Sequence, residues 1–283
     1  MYTNLFLLIH ITGTVAFSPR QLIWRLSSVR LSHRTMAAMS SADGSVQGLG
    51  DIGGVAAAVD NGNGESDIVP WKARIQRSSA ISRKVRGGNY VQIATVDADG
   101  KPRCRTVVFR GFFEPPEVMC GYGGAAAMRM ITDARSEKVG QGLAQPACEM
   151  VWWFSKSSEQ YRITGDLQFI GPEQVNNEAP TNHVAEMLER KLQIARKSQW
   201  GNLSDTAREQ FYWRQPGANR SEAAAGCPPP GGRDAHGNIL PPPDTFLLML
   251  LWPKSVRYLR LTDNFAQVDE VVGATWIPRR VNP

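Results

Sequence analysis

Apolar and polar side chains alternate with a period of two in several short stretches of this chain, which marks strands with one face buried. YVQIATV (90–96) alternates cleanly, Asp97-Ala-Asp-Gly100 supplies a tight turn, and a second alternating run follows over 103–112. Asp-Gly between two such runs predicts a hairpin. CEMVWWF (148–154) and QYRITGDLQFI (160–170) predict a second hairpin around Lys156-Ser-Ser-Glu, with a further short strand over 118–121. Residues 246–251, 255–261 and 275–281 read as three more strands. Helical spacing replaces alternation where Pro70-Trp71 opens a helix carrying Trp71, Ile75 and Ile81 that runs toward Gly87-Gly88, and again over 135–143, 182–197 and 204–212. Six or more strands with intervening helices predict a mainly β fold with α elements (α+β), an antiparallel barrel with peripheral helices packed outside.

Composition changes sharply before residue 69. Residues 40–68 are rich in Gly, Ser, Ala and Asp without a sustained apolar period, so they cannot bury enough surface to offset chain entropy and read as a flexible linker. Residues 1–39 read as a targeting leader: an apolar run over 5–17, too short to span a bilayer, precedes an Arg- and Ser-rich stretch without acids. Val15-Ala16-Phe17-Ser18-Pro19 resembles the Ala-Phe junction of algal plastid leaders, which favours a plastid. A mitochondrial presequence, or a cytoplasmic protein starting at Met36, are the alternatives. Residues 215–244 form a Pro/Gly-rich insertion, expected to be a mobile loop and a candidate lid. No internal repeat and no segment fit to cross a membrane is visible.

The formal charge of +6 is concentrated in the leader, since Arg20, Arg25, Arg30 and Arg34 all precede the first acidic residue, Asp43; the remainder carries +2. A nearly neutral body argues against nucleic acid as a partner. Cys104, Cys120, Cys148 and Cys227 lack metal-ligand spacing, so no metal is expected. The four histidines (His10, His33, His183, His236) form no pair or triad, and no P-loop or GxGxxG is present. A reaction here needs a cofactor to carry it.

Two segments supply candidate cofactor chemistry. RTVVFR (105–110) places an arginine at each end of an apolar strand, and ITDARSEKV (131–139) gathers Thr132, Arg135, Ser136 and Lys138 at a strand-to-helix turn. Cations, small hydroxyls and the free N–H groups of a helix start together suit a phosphate. Each segment also has a plainer reading, the arginines as a solvated rim and the hydroxyls as an N-cap.

In this order and spacing, RTVVFR, TDxRSxK and EQYRITG (159–165), with YWRQPG (212–217) and FLLMLLWPKSVRYLRL (246–261) behind them, the chain resembles the pyridoxamine 5'-phosphate oxidase-like family of FMN-binding split barrels, in its cyanobacterial and plant branch. The similarity covers residues 69–283 and implies one split-barrel domain there. It implies FMN as cofactor, lined by Arg105, Thr106, Val107, Val108, Phe109 and Arg110. It implies a phosphate held by Ile131, Thr132, Arg135, Ser136 and Lys138. Gln160 would approach from a neighbouring strand or from the other subunit of a homodimer. Arg110 would be the catalytic residue, steering a small anionic substrate. The implied activity is oxidation of pyridoxamine or pyridoxine 5'-phosphate in vitamin B6 metabolism, with a non-catalytic flavin- or haem-binding protein, or an FMN oxidoreductase of other substrate, as the alternatives. Three departures bear on this. The family's first motif ends in Lys where Arg110 stands, its Ser-Arg-Lys reads Ser136-Glu137-Lys138, and its C-terminal Arg-Leu-His has no counterpart in Leu261-Thr-Asp-Asn-Phe265.

Overall fold

The computed structural model describes residues 68–116, 126–172, 183–218, 229–273 and 275–283. The leader, the linker up to residue 67, the strand expected over 118–121 and residues 219–228 of the Pro/Gly insertion lie outside the described residues. Among the described residues nine antiparallel strands form one sheet: β1 (Tyr90–Val96), β2 (Pro102–Val108), β3 (Phe112–Phe113), β4 (Ala127–Asp133), β5 (Ala147–Phe154), β6 (Glu159–Ile170), β7 (Phe246–Arg260), β8 (Phe265–Val272) and β9 (Thr275–Val281). The helices are α1 (Trp71–Ile81), α2 (Glu137–Ala144), α3 (His183–Gly201) and α4 (Asp205–Glu209). Both predicted hairpins form, β1–β2 in the register Tyr90↔Val108 and β5–β6 in the register Cys148↔Gly165.

The sheet follows the order β2-β1-β5-β6-β7-β4-β3 and then returns on itself, because β3 is the continuation of β2. At the junction Arg110 donates its N–H to the Arg129 carbonyl and Arg129 donates back to the Gly111 carbonyl, both at 2.8 Å. Two residues thus oppose one. This is a β-bulge, and it bends the strand so that its first half pairs with β1 and its second half with β4. Gly111 takes φ +98 there, a conformation that favours glycine.

Inward-facing residues from this circuit make one core of Val91, Ile93, Met128, Met130, Met150, Trp152, Phe154, Tyr161, Ile163, Met249, Leu251 and Val256. Each large apolar side chain buried in this way contributes roughly 2 kcal/mol. On the outer face, Leu192 and Ala195 of α3 cover Phe113, Ala127, Ile170, Leu248 and Leu250.

Two expectations near the C-terminus need correction. The separate strands expected at 246–251 and 255–261 are one strand, β7, running through Pro253. The sheet absorbs the proline by a register shift between Thr164 and Gly165, where Gly165 pairs with Pro253 and Thr164 with Ser255. Strand β8 has no counterpart among the expected strands. Its first five residues are all buried, including Gln267 and Asp269, so it lacks the alternation that marks a one-sided strand.

Those polar residues receive α1. Asp269 accepts the N–H of Trp71 at 3.3 Å, in place of any side-chain cap from Pro70. Gln267 donates to the Val69 carbonyl and accepts from Arg74 at 2.9 Å, and the Arg74 guanidinium lies over the rings of Tyr258 and Phe265. Burial pushes the Asp269 carboxyl above its usual range, with the bonds from Gln267 and Trp71 and the charge of Arg74 acting against it. One turn further on, the Ser78 and Tyr161 hydroxyls share a buried hydrogen bond of 2.7 Å. Ser78→Ala leaves the Tyr161 hydroxyl without this partner, and a loss of about 1.5 kcal/mol in urea denaturation is expected.

The described part of the Pro/Gly insertion is fastened rather than loose. Arg208 donates to the Gly231 carbonyl at 2.8 Å, Arg233 reaches Asp205 at 3.0 Å, and the Trp200 indole donates to the Leu240 carbonyl at 2.6 Å. Among the described residues no helix is long and apolar enough to cross a membrane.

Candidate functional site

Strand β4 ends at Asp133, and the chain turns through 134–136 into α2. Ser136 is the N-cap of α2, yet its hydroxyl makes no cap hydrogen bond, so it is not committed to the helix start. Two residues on, Lys138 donates to the Thr132 hydroxyl at 3.2 Å. Burial, and next the charge of Arg105, hold the Lys138 ammonium below its ordinary value, while Asp133 and Glu137 pull the other way. Arg105 and Lys138 therefore share one neighbourhood, although 33 positions separate them in the sequence.

Arg105 is positioned entirely by neutral groups. Its Nη1 donates to the Thr95 hydroxyl at 2.6 Å and to the Arg103 carbonyl at 2.9 Å, and its Nη2 donates to Gln141 Oε1 at 3.0 Å. The Thr95 hydroxyl in turn donates to Gln141 Oε1 at 2.6 Å. Burial lowers the Arg105 guanidinium while the nearby charge of Glu137 acts against it, and among the described residues no carboxylate is hydrogen-bonded to Arg105. Two half-buried cations beside two hydroxyls and a helix start, with no carboxylate among the described residues bonded to either cation, form an arrangement that an oxyanion completes.

The register of β2 supplies the rest of the site. Phe109 donates its N–H to the Asn89 carbonyl at 2.8 Å. Antiparallel alternation then turns the backbone groups of Val107 and Arg105 toward β1 and those of Thr106 and Val108 away from it. Among the described residues no strand pairs with that outer edge of β2, so within them Thr106 and Val108 present unpaired N–H and C=O groups along the split in the barrel. The Val107 side chain instead enters the core, and the Phe109 ring packs on Trp152 and Phe112 at 4.7 and 5.1 Å.

Not every predicted residue joins this cluster. Arg135 is held by its neighbour, with Nε and Nη2 donating to the two Asp133 oxygens at 2.9 and 2.7 Å, and the pair raises its pKa. It also donates to the Trp213 carbonyl at 2.7 Å, so it ties the turn to the 211–213 segment. The Ile131 side chain packs against the Trp200, Leu203 and Phe246 cluster. Gln160 sits on β6 between Trp153 and Leu259, and both β5 and β1 separate it from β2. Arg110 lies at the bulge, five residues beyond Arg105, with its Nε buried and without a partner among the described residues. Burial lowers its guanidinium.

Thr95 and Gln141 escaped the sequence reading. The signal was available: Gln141 lies three residues after Lys138 on α2, on the same helix face, and Thr95 continues the inward row of Val91 and Ile93. Burial pushes the Cys148 thiol up to about 12, which leaves it inert. Among the described residues no group of three His, Cys, Asp or Glu side chains comes together.

Comparison with known proteins gives the following. A sequence profile described as pyridoxamine 5'-phosphate oxidase, FMN-binding domain, matches residues 68–171. The pyridoxine/pyridoxamine 5'-phosphate oxidase 2 of Arabidopsis thaliana is 29% identical over 230 residues, covering 76% of this chain and 98% of the relative. The crystal structure of a pyridoxamine 5'-phosphate oxidase-related, FMN-binding protein from Nostoc punctiforme is 31% identical, covers 76% of this chain and 99% of its own, and superposes with a TM-score of 0.59. PhzG from Burkholderia lata, at 14% identity, shares the fold with a TM-score of 0.55 over 80% of this chain and all (100%) of its own.

Proposed function

Because this chain belongs to the pyridoxamine 5'-phosphate oxidase-like family of FMN-binding split barrels, we propose that it is an FMN-dependent oxidoreductase of the pyridoxamine/pyridoxine 5'-phosphate oxidase type. The observation that carries this reading is the Arg105–Lys138 pair, two cations in one half-buried neighbourhood with no carboxylate among the described residues bonded to either. The residues present fit the FMN phosphate. Arg105, Lys138, Thr132 and Ser136 would hold it, and the free backbone groups of Thr106 and Val108 would meet the polar edge of the ring. When bound, FMN supplies two-electron redox chemistry. Arg110 would attract an anionic substrate to the bulge at the end of the same strand, with dioxygen as terminal acceptor. A two-fold dimer would bring Gln160 from a second copy toward the ring, since within one chain two strands keep it away.

One observation favours a second reading. Arg260, the arginine just before the segment that replaces the family's C-terminal motif, is paired with Asp263, its Nη2 lying 2.6 Å from Oδ2, and no histidine follows. A different substrate, or a flavin-binding role without turnover, would account for that change. The test is anaerobic addition of pyridoxamine 5'-phosphate to the FMN-loaded protein. Bleaching of the flavin absorbance at a rate that saturates with substrate is expected. A yellow protein that stays unbleached overturns the proposed substrate, and failure to take up FMN overturns the whole reading.

A further inference from the structure

Three aromatic side chains stand in one rung across the inner wall of the barrel. Trp152 of β5 and Tyr161 of β6 are direct cross-strand partners, and Tyr161 is in turn the partner of Tyr258 on β7. All three lie in the core, with exposures of 1%, 0% and 2%, so a diffusing reagent does not reach them. The Tyr161 and Tyr258 rings are 4.9 Å apart, and Phe154 closes the other gap, 4.7 Å from Trp152 and 5.6 Å from Tyr161. At its outer end Trp152 packs on Phe109, a member of the 105–110 motif, at 4.7 Å. Packing alone asks only for rings in such a rung. Here each of the three also carries a polar hydrogen, and the three partners differ in kind.

The Trp152 indole donates to the Gly88 carbonyl at 3.0 Å, and an amide carbonyl is too weak a base to take the proton. The Tyr161 hydroxyl meets the Ser78 hydroxyl at 2.7 Å, and Ser78 donates on to the Arg74 carbonyl, another neutral acceptor. Among the described residues Tyr258 alone of the three meets a base. It donates to Glu159 Oε1 at 2.6 Å, while the other oxygen of that carboxylate accepts the Ser157 hydroxyl. Burial pushes both phenols above their ordinary value, so each keeps its proton at neutral pH. The Arg74 guanidinium, 4.4 Å over the Tyr258 ring, penalises any positive charge that develops there. Oxidised Tyr258 must therefore shed its proton, and Glu159 stands in place to take it.

We propose that Trp152, Tyr161 and Tyr258 form a relay that carries a one-electron oxidising equivalent from the Phe109 side of the barrel to Tyr258. The oxidant is an oxygen-centred radical, which takes one electron from Trp152 and is reduced. Tyr258 returns an electron to the Trp152 radical cation through Tyr161. Its phenolic O–H bond breaks, and the proton passes to Glu159 Oε1. The products are neutral Trp152, a neutral radical on Tyr258 and a protonated Glu159. The partners set the direction, because an indole radical cation that keeps its proton is a stronger oxidant than a tyrosyl radical that has lost one. The purpose of the relay rests on the proposed flavin chemistry, since dioxygen reduced beside this strand is a source of such oxidants; the relay itself does not.

The test is pulse radiolysis of the full chain, in which azide radicals oxidise exposed indoles in preference to phenols. Trp153, 37% exposed and next to Trp152 on β5, supplies the entry point. The tryptophanyl absorbance is expected to decay as the tyrosyl absorbance grows, at a first-order rate independent of protein concentration and slower in deuterated water. Tyr258→Phe and Glu159→Gln should each lose most of that growth, the first by removing the electron donor and the second the proton acceptor. Trp152→Phe should leave the tryptophanyl radical standing, and Tyr90→Phe, at an exposed tyrosine, should change nothing. Near-ultraviolet circular dichroism checks that each variant is folded. Should Glu159→Gln fail that check, Tyr258→Phe, which lacks only a hydroxyl, decides. Equal tyrosyl growth in wild type and Tyr258→Phe, or a rate that scales with protein concentration, overturns the relay. Because the radical comes from solution, the result stands whether or not FMN binds, so failure here and failure of the flavin reading are told apart.

Discussion

Replacing Lys138 with Gln is expected to weaken FMN binding about thirtyfold, the equivalent of roughly 2 kcal/mol for one charge-assisted hydrogen bond to phosphate. The measurement is titration of the apo-protein by quenching of flavin fluorescence. The size follows from what Lys138 has for company. Its ammonium donates to a neutral hydroxyl, Thr132, and faces the positive Arg105, so its own charge is largely unspent until an anion arrives. A pH series sharpens the test. In the free protein Lys138 titrates below its ordinary 10.5, first because of burial and then because of Arg105. As pH rises through that lowered value the ammonium is lost, and FMN affinity falls with it. The Gln variant, which has no proton to lose there, should show no such fall. Both proteins should weaken together at acid pH, where the phosphate takes up its second proton near pH 6. The folded free protein binds this proton less tightly than the unfolded chain does, so the group adds stability as pH rises through the lowered value toward 10.5. Bound phosphate reverses that sign by raising the Lys138 pKa. A Gln variant with wild-type affinity would remove Lys138 from the site and leave Arg105 alone to account for it.

Gly165→Ala should be the most damaging small substitution in the barrel, lowering stability by about 3 kcal/mol in urea denaturation of the apo-protein. A Cβ at this position would stand 2.0 Å from the Trp252 carbonyl oxygen and 2.9 Å from the Pro253 Cα. Both are backbone atoms, so no rotamer change relieves the collision. The close approach arises at the register shift, where Gly165 pairs with Pro253 although Thr164 pairs with Ser255. Separating β6 from β7 there would disturb the longest pairing in the sheet, along which Ile163, Leu167, Met249 and Leu251 enter the core. A midpoint unchanged from wild type would mean that the two strands can part locally without loss. That outcome would place the bulge outside the cooperative unit.

How far the chain could be read in advance depends on where each residue finds its partners. β1, β5 and β6 were legible because each has one buried and one open face, β2 because it is the second arm of a hairpin, and the Asp97–Gly100 turn because Gly100 takes φ +77, which few other residues adopt. The Arg105, Thr132, Ser136 and Lys138 set was legible too, since the order of motifs around a strand-to-helix turn carries it. β8 was not. Its buried Gln267 and Asp269 look like breaks in a strand until α1 is docked on them, and that contact spans 198 residues. Arg135 looked equivalent to Lys138, but its ion pair with Asp133 is a side-chain conformation that spacing does not specify. Pro253 looked like the end of a strand until the opposing Gly165 let the register slip around it.

Local pattern therefore determined which segments are strands, where the hairpins turn and which cations stand near a helix start, because those properties depend on neighbours a few residues away. Only the closed sheet decided which of the cations keep an unspent charge. That depends on how deeply each is buried and whether an acid reaches it. Arg135 meets one, whereas Arg105, Lys138, Arg110 and Arg129 are bonded to none among the described residues. Such distances are set across the barrel, between residues that the sequence keeps far apart.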